Sequence, residues 1–266
     1  MTAELAAELA RLAGSSAKKL SSQAYRYRKT SPSKEIASWC EARHLDHAFV
    51  PEKRRFADLK LLAMDMDSTL ITIECIDEMG DMAGKREEVA AVTAQAMRGE
   101  IDYAESLRRR VRLLKGLPLS ALERVYAERL KLTAGAELLL ERCKSAGVRL
   151  LLVSGGFTFF VDRLKDRLGF DYTMSNKLAL RGGKLTGELS GNILGAGAKG
   201  EKFAAVAKEL KAEREETAAI GDGANDLEMM KLAGVSVAYR AKPVVREQAT
   251  CALNWTGLDG VVNLFE

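Results

Sequence analysis

Long hydrophobic runs are missing from this 266-residue chain. No stretch approaches the ~18 consecutive apolar residues of a bilayer-spanning helix, so no membrane span is expected. The start, Met1-Thr2-Ala3-Glu4-Leu5, carries an acid and lacks an apolar stretch, so it is not expected to act as a secretory signal. The four cysteines, Cys40, Cys75, Cys143 and Cys251, form no Cys-x-x-Cys pair. That argues against a disulfide framework or zinc site and for reduced thiols in a cytoplasmic protein. Histidine is scarce: His44 and His47 lack the further ligands of a metal set, and a surface or packing role is expected for both. Dense charge of one sign is also absent. Residues 1–60 hold 12 Lys/Arg against 7 Asp/Glu, +5, and the remainder 29 against 30, −1, so the basic excess lies in the first sixty residues. Aromatic interleaving is limited to Tyr25-Arg26-Tyr27-Arg28, and no nucleic-acid partner is expected.

What the chain does contain begins with apolar residues near half of the total, an ordinary globular content. The length allows one large domain with an insertion, or two domains. Leu61-Leu62-Ala63-Met64 has no helical periodicity and reads as a buried strand of a parallel sheet. It runs into Asp65-Met66-Asp67-Ser68-Thr69. Strand periodicity points the two aspartates to one side, where α/β sheets bind ligands beyond their strand ends. Two like charges so close need a cation between them or a retained proton; alone, the pair could equally be a solvated turn.

Upstream, residues 2–13 read as an amphipathic helix capped by Thr2 and ended by Gly14, Ser15 to Ser33 as linker, and about 34–43 as a second helix. Downstream, Glu74 lies in an apolar setting where a carboxylate is costly unless it meets a cation. From about 76 to 130 the pattern is wholly helical: one helix carries Val89, Val92 and Met97, a second carries Tyr103, Leu107, Val111 and Leu114, and a capping-box spacing from Ser120 to Glu123 opens a third. At ~100° per residue Arg110 shares the face of Tyr103, whereas Arg108 and Arg109 diverge from it. The block therefore reads as a helical cap inserted after the first strand.

The β/α pattern resumes at Val148–Val153, a strand ending on Ser154-Gly155-Gly156, where a hydroxyl and a pliable backbone could meet an anion. Residues 176–189 read as a hairpin turning at Arg181-Gly182-Gly183-Lys184. Lys199 opens a helix faced by Phe203, Val206 and Leu210, with Lys202 as a competitor for any role given to Lys199. Thr217–Ile220 is a strand entering Gly221-Asp222-Gly223-Ala224-Asn225-Asp226, which places an acid beside a helix N-terminus.

These four segments, in this order, resemble the haloacid dehalogenase superfamily and, within it, the phosphoserine phosphatases, over about residues 60–266. The resemblance implies an α/β fold with a Rossmann-like parallel core at 60–75 and 131–266, a small helical cap at 76–130 and an N-terminal extension at 1–59 outside the match. It implies hydrolysis of phosphoserine, the last step of serine biosynthesis, with Asp65 as nucleophile and Asp67 as acid–base residue. Mg²⁺ would bind Asp65, the backbone carbonyl of Asp67 and Asp222. Ser154, the Gly155 N–H, Lys199 and Asn225 would hold the phosphoryl group, with Asp226 orienting Lys199. Glu74, Met97, Tyr103 and Arg110 would form the serine pocket of the cap, together with Ser68. The family more often has phenylalanine at the Tyr103 position, so the extra hydroxyl needs a partner. The alternative is another phosphatase of the superfamily, or a phosphotransferase acting on a metabolite such as phosphohomoserine. A monomer and a homodimer both remain open.

Overall fold

The computed structural model describes residues 2–51 and 54–265, so Met1, Glu52, Lys53 and Glu266 of the expected segments lie outside it. The sheet that positions the site contains β3 (Leu61–Asp65), β4 (Arg149–Phe157), β5 (Tyr172–Arg181), β6 (Lys184–Ser190), β7 (Thr217–Gly221), β8 (Val235–Tyr239) and β9 (Cys251–Leu253). Its order is β6-β5-β4-β3-β7-β8-β9, parallel except for the antiparallel β5–β6 hairpin. β3 is central and buried along its whole length, as its run of apolar residues requires. Its side chains alternate between the two faces: Leu62 and Met64 enter one hydrophobic cluster, Leu61 and Ala63 the other.

Helices α7 (Ala136–Ser145), α8 (Thr158–Leu168), α9 (Ala196–Glu209), α10 (Leu227–Leu232) and α11 (Pro243–Gln248) connect the strands. The cap comprises α3 (Cys75–Met82), α4 (Arg86–Met97), α5 (Tyr103–Leu113) and α6 (Leu119–Arg124). Where the chain enters and leaves it, Ile71 bridges Leu132, Thr72 N–H donates to Lys131 O (3.0 Å) and Thr133 N–H to Leu70 O (2.9 Å). The cap is also tied to the β5–β6 hairpin, through Gly116 N to Leu185 O (2.8 Å) and Leu119 N to Gly183 O (2.9 Å). The expected capping box does not form: α6 starts after Pro118, whose fixed φ suits a helix entry, and no side chain caps it.

The extension folds onto the core. α1 (Ala3–Ala13) has the expected Thr2 cap and left-handed Gly14 stop, and α2 (Lys34–Glu41) buries Ile36 and Cys40. Between them, the stretch read as linker holds a two-stranded hairpin of β1 (Ala17–Lys19) and β2 (Tyr25–Tyr27). Strands of three residues are too short for their alternation to register in a sequence; tertiary contacts decide them, among them Tyr27 O–H to Ala6 O (2.9 Å). The Asp46 carboxylate accepts the backbone N–H groups of Asn254, Trp255 and Thr256, and His44 stacks on Trp255. His47 sits edge-on to Phe49. All four cysteines are free and buried. Among the described residues no helix is long and apolar enough to cross a membrane.

Candidate active site

Strand register explains why remote residues meet. Asp65 on β3 pairs with Val153 on β4, so Ser154 emerges one residue further along at the same sheet edge. On the other side Met64 pairs with Ile220, and Asp222 follows just beyond β7. The pairing of β4 with β5 shifts between Val153 and Phe157. This irregularity spans Ser154-Gly155-Gly156 and re-aims the backbone there. A side chain at Gly156 would collide with the Asp67 carboxylate, its Cβ lying 2.7 Å from Oδ2.

Lys199, 3 % exposed, is clamped between Asp65 Oδ1 and Asp226 Oδ1, each at 2.7 Å. Burial works against its charge, but the two carboxylates outweigh that and hold its pKa above the ordinary lysine value. Asp226 is spent locally: its other oxygen accepts the Gly223 N–H at 3.0 Å. Lys202 instead lies over the Tyr172 ring, 5.9 Å from its centroid. Burial, then the charge of Asp226, push the Asp65 carboxyl well above the usual carboxylate range. Asp222 accepts the Thr69 hydroxyl at 3.2 Å and is pushed up to about 6, again by burial and by Asp226. Carboxylate oxygens of Asp65, Asp222 and Asp226 lie within 4.8 Å of one another with one ammonium among them. Such an all-oxygen set with excess negative charge fits a hard divalent cation.

Asp67 lies beyond the end of the strand, in the irregular turn over Met66–Leu70, rather than on the strand itself. The turn, with Ser68 at φ 56°, returns it to the pocket. Its Oδ1 accepts the Cys75 N–H (2.8 Å) and its Oδ2 the Ser154 hydroxyl (3.2 Å). Its pKa is raised chiefly by burial, whereas the sequence pointed to neighbouring negative charge as the cause.

The cap residues differ. Glu74, just before α3, is solvent-accessible and accepts the Ser68 hydroxyl at 2.7 Å. Lost solvation there, with the Asp67 charge, raises its pKa to about 7. Tyr103, at the start of α5, donates its hydroxyl to the Gly155 carbonyl at 3.1 Å, which supplies the partner that hydroxyl required. On the same helix Arg109 pairs with Glu105 and Arg108 lies near it, while Arg110 turns inward with its Nε buried and unpartnered. Met97, at the last turn of α4, is 69 % exposed. Asn225 flanks Gly223 at the rim. Sequence reasoning assigned no role to Thr69 or to Asn176, a buried polar residue inside β5. The one available signal was a residue of low strand propensity in mid-strand.

An open α/β sheet with a lysine–aspartate pair, a second aspartate and a hydroxyl converging at its strand ends defines a phosphoryl-handling hydrolase. The chain belongs to the haloacid dehalogenase-like hydrolase family, whose pattern matches residues 62–231. Within it, the chain is similar to a phosphoserine phosphatase of Polaromonas sp., at 53 % identity over 215 residues, 79 % of this chain and 91 % of that protein. Its fold is similar to a probable phosphoserine phosphatase from Vibrio cholerae, unliganded, with TM-score 0.80, 42 % identity, 89 % of this chain and 73 % of the other. That coverage exceeds what residues 60–266 supply, so part of the extension, expected to lie outside any match, is shared. A phospho-aspartyl intermediate analogue of phosphoserine phosphatase aligns at TM-score 0.73 and 40 % identity, over 78 % of this chain and 99 % of the other.

Proposed function

We propose that this chain is a Mg²⁺-dependent phosphomonoesterase that hydrolyses O-phospho-L-serine to L-serine and phosphate. The observation that carries the reading is the Asp65–Lys199 pair facing a cap whose Arg110 has a buried, unpartnered guanidinium nitrogen. The first is apparatus for phosphoryl transfer; the second awaits an anion of the substrate.

Lys199 fixes one Asp65 oxygen and orients the carboxylate for attack. A P–O bond forms to Asp65 as the bond to the seryl oxygen breaks, and Asp67 gives its proton to that oxygen. Burial raises the Asp67 pKa, which favours that proton. In the second half Asp67 takes a proton from water, whose oxygen attacks phosphorus and frees Asp65. Ser154, the Gly155 N–H, Lys199 and Asn225 hold the phosphoryl oxygens in a loose transition state. Asp65, Asp222 and the Asp67 carbonyl are the groups to hold Mg²⁺, which when bound neutralises charge on the carboxylates and phosphate; Asp226 is left to Lys199. Glu74, set by Ser68, receives the substrate ammonium, Arg110 its carboxylate, and Tyr103 walls the pocket. The buried free thiols suit the reducing cytoplasm.

The test is phosphate release from a panel of phosphorylated amino acids and small metabolites, with and without Mg²⁺ and with added alcohols. L-phosphoserine is expected to lead the panel only when Mg²⁺ is present. Preference for another phosphate, or transfer to an alcohol in place of hydrolysis, overturns the reading.

A further inference from the structure

One peptide unit beside the active site is held from both ends. The carbonyl of Gly155 accepts two donors, the Asn176 side-chain amide at 2.8 Å and the Tyr103 hydroxyl at 3.1 Å. The N–H of the same peptide, on Gly156, donates to Ser154 Oγ at 2.8 Å, and Ser154 Oγ donates to Asp67 Oδ2. Asn176 is itself fixed. It is 2 % exposed, its Oδ1 accepts the Leu194 N–H at 2.9 Å, and this leaves its Nδ2 as the group facing Gly155. It sits where β4 and β5 re-pair after the irregularity, opposite Phe157.

We infer that Asn176 is a positioning residue for the reaction: by holding the Gly155 carbonyl it sets the Gly155–Gly156 peptide plane, which aims Ser154 at Asp67. A peptide is planar, so fixing its carbonyl fixes its N–H. Two successive glycines leave that plane little intrinsic restraint; the two donors to its carbonyl restrain it, together with the Gly156 N–H bond to Ser154. One belongs to the core strand and is permanent. The other is carried by the cap, so Tyr103 reaches the phosphoryl floor through the same oxygen. Neither donor needs to touch the substrate for this role. It rests on the phosphomonoester hydrolysis proposed above, and it concerns the part of the site that any phosphate ester meets.

The experiment therefore measures kcat and KM of the full chain with Mg²⁺ on both L-phosphoserine and p-nitrophenyl phosphate. Parent enzyme that cleaves the aryl ester but not phosphoserine would overturn the substrate proposal and leave the role of Asn176 readable on the aryl ester. Asn176→Ala is expected to lower kcat about 10- to 100-fold on both substrates with KM within about threefold. A kcat within about twofold of the parent, or a loss confined to phosphoserine, overturns the role. Asn176→Asp supplies a second reading that does not depend on the alanine variant folding. It keeps an acceptor for Leu194 but sets a carboxylate against the Gly155 carbonyl, and only its protonated form can donate. The ratio of its rate to the parent's, compared over the pH range in which thermal melts show both proteins folded, is expected to climb as pH falls; a flat ratio there overturns the role. Tyr103→Phe removes only the cap-borne donor and is expected to cost less than about fivefold in kcat.

Discussion

The floor and the cap of this site are built on opposite plans. On the floor the chain partners its own side chains: Lys199 has two carboxylates, Asp226 a lysine and a backbone N–H, Asp67 a hydroxyl and a backbone N–H. On the cap the groups are left incomplete. Arg110 Nε is buried without an acceptor, the Glu74 carboxylate has Ser68 alone among the described hydrogen bonds, and Met97 faces solvent. On the proposed reading, the floor is preorganised for the phosphoryl group common to all esters, and the cap holds the groups whose partners a particular substrate must bring. Burying charge is tolerable on the floor because the partners arrive with folding, and on the cap only because they arrive with binding.

Substitutions on the floor should therefore be blind to the alcohol part of the substrate. Asp65→Asn is expected to lower kcat on L-phosphoserine and on p-nitrophenyl phosphate alike, by at least about 10⁴-fold, because it removes the proposed nucleophile. A burst-free residual rate above that on either substrate breaks the assignment. Arg110→Ala should do the reverse. Losing one partner of a desolvated charge pair costs about 2–5 kcal/mol, so kcat/KM on phosphoserine should fall steeply while the aryl ester changes little. Equal losses on both would erase the distinction between floor and cap.

The unbalanced charge gives a third expectation, on the metal-free protein. Asp222 and Glu74 have pKa values raised to about 6 and about 7 in the folded state. The folded chain thus holds protons that the unfolded chain releases, and stability falls as pH rises through the window from about 4 to about 7. Thermal melts of EDTA-treated protein should show Tm dropping across it. Added Mg²⁺ should raise Tm more at the upper end than at the lower, where protons compete for the ligands. A Tm that climbs with pH in the absence of metal would contradict the burial described. The smallest effect expected is that of Met97→Ala: exposed as it is, it should alter stability by less than about 0.5 kcal/mol and leave KM for phosphoserine within about twofold. A large rise in KM would mean that α4 swings over the substrate during turnover.

Much of the floor was legible before folding because each element announces itself locally. The apolar run before Asp65, the glycines after Ser154 and around Asp222, and the amphipathic face beginning at Lys199 are short-range patterns. The cap's helices were equally plain, and the face shared by Tyr103 and Arg110 follows from helical pitch. Less legible were the features that depend on partners far along the chain. The β1–β2 hairpin is held by α1, and Asn176 takes its meaning from Leu194 and Gly155. Met97 lies on an apolar pattern whose orientation toward the core is a matter of tertiary packing. The raised pKa of Asp67 comes first from burial, a quantity no spacing reveals.

By itself, then, the sequence determined which chemistry the chain carries: two aspartates, a hydroxyl with glycines, a lysine and a third acid, each at the end of an element whose pattern is local. Only the tertiary structure decided that Lys199 is shared between Asp65 and Asp226, that the Gly155 peptide links cap to floor, and that Arg110 Nε is buried without an acceptor. The reason is range. Hydrophobic periodicity and turn chemistry act over a few residues, whereas hydrogen-bond satisfaction and desolvation depend on every atom that packing brings near.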